Sequence, residues 1–334
     1  MPTDTLMPAG APADTPPSDT VATPTRRRIG DFLSANGALV GLVLVGLIMF
    51  IATPDFLTTQ NLLNVGVQAA VVAVLGFGMT YVIVTAGIDL SVGSVAALSA
   101  ICAGWAVTSA GLPGWMALIV GPVVGILAGL VNGVATAYLK LPAFIATLAM
   151  LSVARGLTLV VSDGRPIEMP GAVTWLGSDL GPVPMPVVVL VVTFAITGFV
   201  LRRTVFGLSL YAVGGNAESA RLAGLSVKRL TASVYAISGL FAGIAGLVLA
   251  GRLASAQPQA ASGYELDAIA AVVIGGASLS GGVGKASGTL VGALILAVIR
   301  NGLNLLNVTS FWQQVVIGLV IAFAVLIDVV RQHR

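Results

Sequence analysis

From Asn36 to the C-terminus the chain is a succession of apolar runs close to the length of a spanning helix, broken by glycine, proline or isolated charges. A helix needs about 20 mainly apolar residues to cross the hydrocarbon core. Apolar residues make up 57% of the 334 and charged residues 9%, with a mean hydropathy of +1.02. Ordinary soluble domains carry about a quarter charged residues, and no soluble fold hides so much apolar surface. The bilayer is therefore the solvent, and the expected fold is an all-α, polytopic membrane helix bundle. The 41 glycines lie largely inside the apolar runs. There they let backbones approach, because lipid gives apolar helices no hydrophobic reason to associate.

Ten transmembrane helices are expected, over 37–52, 62–85, 92–109, 115–138, 143–161, 185–201, 231–253, a short 266–278, 288–306 and 311–330. Residues 1–30 are rich in Pro, Ala, Thr and Asp and hold no apolar run, so they read as a disordered cytoplasmic tail. Residues 31–334 form the membrane domain. Arg26, Arg27 and Arg28 ahead of the first run resemble the start of a signal peptide, but no clear small-x-small cleavage site follows, so a retained anchor is expected. Basic residues should concentrate beside the cytoplasmic loops. With ten crossings and an internal N-terminus, the inner side holds Arg26 to Arg28, Lys140, Arg202, Arg203, Arg221, Lys228, Arg229, Lys285, Arg331 and Arg334, 12 of the 16 basic residues. Both termini are thus expected in the cytoplasm. The same scatter between spans explains the net charge of +3 by orientation rather than by nucleic-acid binding.

The sequence argues against an enzyme. The one histidine, His333, stands at the tail end, and Cys102 is the one cysteine. The nearest approach to a phosphate-binding loop, 275–287, has Leu279 where the first glycine belongs and Ala286 where Ser or Thr must hold magnesium. No cofactor is expected on this chain. The informative polar stretch is the inner loop 202–229. Its Gly214, Gly215, Asn216 lead into a short helix with Asn216 as N-cap and Gly224 as stop, and Glu218 and Arg221, three apart, pair on one face. Such a helix is either a docking element presented to the cytoplasm or a solvated helix resting on the headgroups.

In GIDLSVGS, 87–94, Asp89 sits between two apolar runs. A carboxylate there marks function by default, but a capping role at the start of the next helix is preferred. A weak repeat relates 87–93 to 276–282, where Ser278 and Ser280 lie; both segments are expected at inner ends of spans. Arg155 and Arg300 lie deeper, and structural ion pairs are the favoured use. Asn301, Asn304 and Asn307 fall near one face; amides there either meet a neutral polyol or join helices.

Together, GIDLSVGS at 87–94, GNAESARLAG at 215–224, GYELDAIAA at 263–271, GGASLSGG at 275–282, GTL at 288–290 and WQQ at 312–314 resemble the ribose-type permeases of bacterial ABC sugar importers. The likeness runs from about Gly37 to the end. It implies a multi-pass inner-membrane homodimer, a cytoplasmic ABC ATPase subunit that holds ATP and magnesium, and a periplasmic sugar-binding protein. It also implies that Gly215, Asn216, Glu218, Ser219, Ala220, Arg221 and Gly224 form the segment that docks on the ATPase. Asp89, Ser91, Ser94, Ser278, Ser280, Asn301 and Asn304 fall in or near family motifs and are candidates for the solute pathway. A permease for nucleosides or amino acids, or an ion-coupled secondary transporter, is the alternative.

Overall fold

The computed structural model describes residues 37–332; the expected tail at 1–30, together with His333 and Arg334, lies outside the described residues. The helices are α1 (Gly37–Ala52), α2 (Thr59–Val84), α3 (Val92–Thr108), α4 (Ala117–Ala137), α5 (Ala143–Ser162), α6 (Met185–Arg203), α7 (Val205–Gly215), α8 (Ala217–Leu222), α9 (Val227–Leu253), α10 (Tyr264–Ile274), α11 (Ala286–Leu305) and α12 (Ser310–Gln332). By length and composition six are able to cross a membrane: α2, α4 with its 3-10 lead-in from Gly114, α5, α6, α9 and α11. The apolar helices α1 and α3 are shorter, with 16 and 17 residues. Little sheet is present. β1 (Ile167–Glu168) pairs antiparallel with β4 (Ser255–Ala256), and β2 (Asp179–Leu180) with β3 (Val183–Pro184).

Local signals set several boundaries. Thr58 caps α2 by accepting a hydrogen bond from the Asn61 N–H. Pro186 stands in the first turn of α6, where a missing N–H costs nothing, and Arg202 and Arg203 close that helix at the negative end of its dipole.

The core is built on two long antiparallel helices, α2 and α9. From Ala69 to Val84 every residue of α2 is buried. Helix α9 packs on α2, α3 and most extensively α4, while α11 and α10 pack on α2 from the other side. The α4–α9 seam is made of glycine. A Cβ on Gly125 or Gly129 would collide with the carbonyl oxygen of Gly239 or Tyr235, and one on Gly133 would lie 2.6 Å from the Ala232 carbonyl oxygen. Side chains on the outer faces of α4 and α5, such as Leu127, Val131 and Val153, are exposed, as suits helices turned toward lipid.

Two of the apolar helices do not begin at an end of the bundle. After α2 the chain turns back through residues 85–91, and α3 starts beside the middle of α9, where Ser238 bonds Asp89. After α9 it turns back through 254–263, and α10 starts beside Arg300, well inside α11. The expected short span 266–278 is thus an 11-residue helix, about 16 Å long, which ends at Ile274. It gives way to a loop in which Gly276, Gly281 and Gly282 take positive φ.

The α4–α9 seam yields a test. Gly129→Leu should lower stability by about 1–3 kcal/mol through overpacking, read as thermal unfolding of the detergent-solubilised protein. Leu127→Ala, on the exposed face two residues away, should change it little; equal effects would mean that the seam is not tightly packed.

Candidate functional site

The segment 214–224 is built by its own sequence. Asn216 accepts a hydrogen bond from the Ser219 N–H at 2.8 Å and caps α8. At the other end Gly224 takes φ +88°, and the Leu225 N–H closes on the Ala220 carbonyl. Glu218 and Arg221 form a two-pronged ion pair at 2.5 and 3.0 Å, both exposed to solvent. The Arg221 guanidinium holds the Glu218 carboxyl below its ordinary range. Ala220 is buried whereas Leu222 is 74% exposed, so the helix offers one apolar side chain and an ion pair outward.

Directly before it, Gly214 is wedged between two loops that are far apart in sequence. A Cβ on Gly214 would strike the Val84 carbonyl oxygen and lie 2.6 Å from the Gly282 nitrogen. The Gly282 N–H itself donates to the Val84 carbonyl at 2.9 Å. The Tyr211 hydroxyl donates to the Gly284 carbonyl at 2.7 Å. The loops after α2 and α10 and the lead into α8 therefore meet at one end of the bundle. Arg202 and Lys285 line a small recess there with Tyr211, and on the same side Lys228 lies over the Tyr138 ring at 5.8 Å.

Above this junction Asp89 is buried. Its Oδ1 accepts from the Ser91 N–H at 3.0 Å and the Ser91 hydroxyl at 2.6 Å, and its Oδ2 from the Ser238 hydroxyl at 2.9 Å. Asn132 donates in turn to Ser91 Oγ at 2.9 Å. The carboxylate thus ties α3, α4 and α9 through hydroxyl donors. Ser91, two residues later, is the cap residue, and its side chain makes no cap bond; Asp89 acts ahead of the helix start rather than on its first turn.

Two further polar ties lie toward the other end. Arg300 pairs with buried Asp267 at 2.7 Å and lies over the Tyr264 ring at 5.8 Å. Asn61 and Asn301, 240 residues apart, exchange amide hydrogen bonds at 2.9 and 2.8 Å. Asn304 accepts from Gln313 at 2.7 Å.

The family described as branched-chain amino acid transport system / permease component matches residues 61–325. The ribose import permease of Bacillus subtilis is 46% identical over 303 residues, covering 87% of this chain and 92% of that protein. That of Haemophilus influenzae is 42% identical, covering 90% and 95%. The chain belongs to the ribose-type permease family. An L-arabinose ABC transporter permease of Azospirillum brasilense is 37% identical, covering 97% of this chain and 96% of its own. No solved structure matches. With these relatives and its six long apolar helices, the permease is a multi-pass protein of the bacterial inner membrane.

The structure brings the permease's motif residues together unevenly. Gly215, Asn216, Glu218, Ser219, Ala220, Arg221 and Gly224 form one local unit. Asp89 and Ser91 share a network, and Ser94 bonds the Ser91 carbonyl within the same turn. Ser278 and Ser280 lie in the glycine loop, where the Ser280 N–H donates to Ser278 Oγ at 3.2 Å. Asn301 and Asn304 belong to the distant helix-joining ties and touch neither group. Arg300 has the expected ion pair, while Arg155 has taken backbone carbonyls instead. The pairing of Asn61 with Asn301 had no local signature in the sequence.

Removing one member of the Arg300–Asp267 pair leaves an uncompensated buried charge. Arg300→Met should cost about 3–5 kcal/mol in thermal unfolding. The double variant Arg300→Met, Asp267→Asn should recover part of that loss; simple additivity of the two single effects would show that the pair does not act as a unit.

Proposed function

We propose that this permease carries a small neutral sugar of the pentose or hexose class inward, as the membrane-spanning part of an ATP-binding-cassette importer. The observation that carries the reading is the 46% identity to a ribose import permease across nearly the full length of both chains. The assembly in view is a homodimer with ten crossings per copy and both termini in the cytoplasm. A separate ATPase subunit holds ATP and magnesium, and a periplasmic sugar-binding protein delivers the solute. This chain then binds no cofactor and catalyses no reaction.

Geometry supports the division of labour. Helix α8 is capped at both ends by local bonds, so it keeps its shape without leaning on much else, and it projects Leu222 and the Glu218–Arg221 pair. Its lead-in at Gly214 presses on both glycine loops. A push from a partner at α8 is delivered there to the loops that follow α2 and α10. Arg202 and Lys285 share the recess beside Tyr211, as suits the cytoplasmic face of a membrane protein. Hydroxyls and amides within the bundle are spent largely on internal ties, which suits a conduit whose affinity for solute resides in another polypeptide.

Reconstitution into vesicles with the partner ATPase and binding protein tests the proposal. Uptake of labelled ribose should require ATP, and uptake driven by an ion gradient alone would replace the importer with a secondary transporter. Within that assay Glu218→Arg together with Arg221→Glu should largely restore the α8 ion pair. The single variant Glu218→Arg should weaken ATPase co-purification and uptake several-fold without changing membrane insertion, since it sets two like charges on the face that would meet the ATPase. Unchanged co-purification would remove α8 from the docking surface.

A further inference from the structure

The segment 257–263, between α9 and α10, is non-helical and lies alongside the helices about 10 Å in from the end of α5. Three helices serve as rulers. Pro258 accepts hydrogen bonds from Arg155 Nη1 at 2.6 Å and from the Thr158 hydroxyl at 3.2 Å, and Ala260 from Arg155 Nη1 at 3.0 Å. Arg155 stands seven residues before the end of α5 (162 − 155), about 10 Å in. Asp267, at the start of α10, is held by Arg300, five residues before the end of α11 (305 − 300), about 8 Å in. A Cβ on Gly93, the second residue of α3, would collide with the Ala261 carbonyl and the Glu265 carboxylate, and α3 begins on the opposite side of that point.

At this depth the segment is open on one side. Gln259 and Ser262 are exposed, Glu265 is partly exposed, and Leu266 beside them is 52% exposed. Irregular backbone facing lipid does not occur at such depth; it is tolerated only where protein buries it or where it borders water. The Ser262 hydroxyl donates to the Gln259 carbonyl at 3.0 Å and Glu265 accepts from the Gly263 N–H at 3.2 Å, but a dry protein cover would strand the Gln259 amide and the remaining Glu265 oxygen without solvent.

We infer that residues 257–265 form a wall of the aqueous solute pathway, with Gln259, Ser262 and Glu265 offering hydrogen bonds to a passing polyhydroxylated solute and Arg155 acting as the positioning residue that pins the wall to α5. The two carbonyls it holds leave the Gln259 side chain turned outward. An amide, a hydroxyl and a carboxylate both accept and, in the first two cases, donate, matching the paired donor and acceptor character of sugar hydroxyls. The inference rests on reading the chain as a transport subunit and adds which surface the solute meets.

The test uses the assembled importer in vesicles, with Cys102→Ala as background. Ser262→Cys is exposed to a membrane-impermeant, charged thiol reagent and compared with Val123→Cys, an exposed position on α4 about 9 Å from that helix's start. A thiol reacts as its thiolate, which needs water, so Ser262→Cys should label on the order of ten-fold faster than Val123→Cys. Gln259→Cys replaces it if the serine variant fails to insert and should behave alike. Labelling as slow as Val123→Cys overturns the inference, as does disulfide cross-linking of two copies without labelling. ATP-driven uptake by the Cys102→Ala parent separates the two claims: fast labelling of Ser262→Cys with no uptake by the parent sinks the importer reading and leaves the wet wall standing.

Discussion

Every backbone polar group of this protein that lies in hydrocarbon has to find its partner within the protein. That constraint produces the long helices, and it also dictates what happens where they stop. Where the chain turns back within the bundle, at 85–91 and at 254–263, side chains of other helices supply hydrogen bonds. Thr147 and Tyr235 donate to the Ile88 carbonyl at 3.3 and 3.5 Å, and Arg155 and Thr158 meet the carbonyls of Pro258 and Ala260. Arg155 is a charge at depth that does this work, while Arg300 and Asp267 satisfy each other.

Close packing follows from the same solvent. Because lipid does not push apolar helices together, contact between α4 and α9 comes from the near-absence of side chains along their shared seam. The same device joins Gly214 to Val84 and Gly282, and there it has a mechanical consequence. Backbones in direct contact have no flexible side chain to absorb displacement, so a shift at α8, if a partner imposed one, would be passed on to the loops after α2 and α10.

Much of this was readable from the sequence wherever the cause is local. Helix α1 occupies 37–52 as its apolar run predicts, and α8 has its Asn216 cap, Glu218–Arg221 pair and Gly224 stop because each is a bond across three or four residues. Distant causes were not readable. The apolar run at 266–278 has the composition of a short span, yet its helix begins inside the bundle and stops at Ile274, because Arg300 fixes its start and successive glycines release its end. Arg155 looked like an ion-pair former; its actual partners are two carbonyls about a hundred residues away, which carry no mark in the sequence. Asn301 was open between solute and helix joining; its exchange of amide hydrogen bonds with Asn61, 240 residues away, had no local signature.

The central claim is that α8 is the point at which force enters from the cell interior. Leu222→Cys in a Cys102→Ala background, labelled with an impermeant thiol reagent on inside-out and right-side-out vesicles, addresses it most directly. The account predicts rapid modification from the cytoplasmic face alone, slowed when the ATPase subunit is bound. Modification from the external face would place α8 beyond the reach of any cytoplasmic motor and contradict the account.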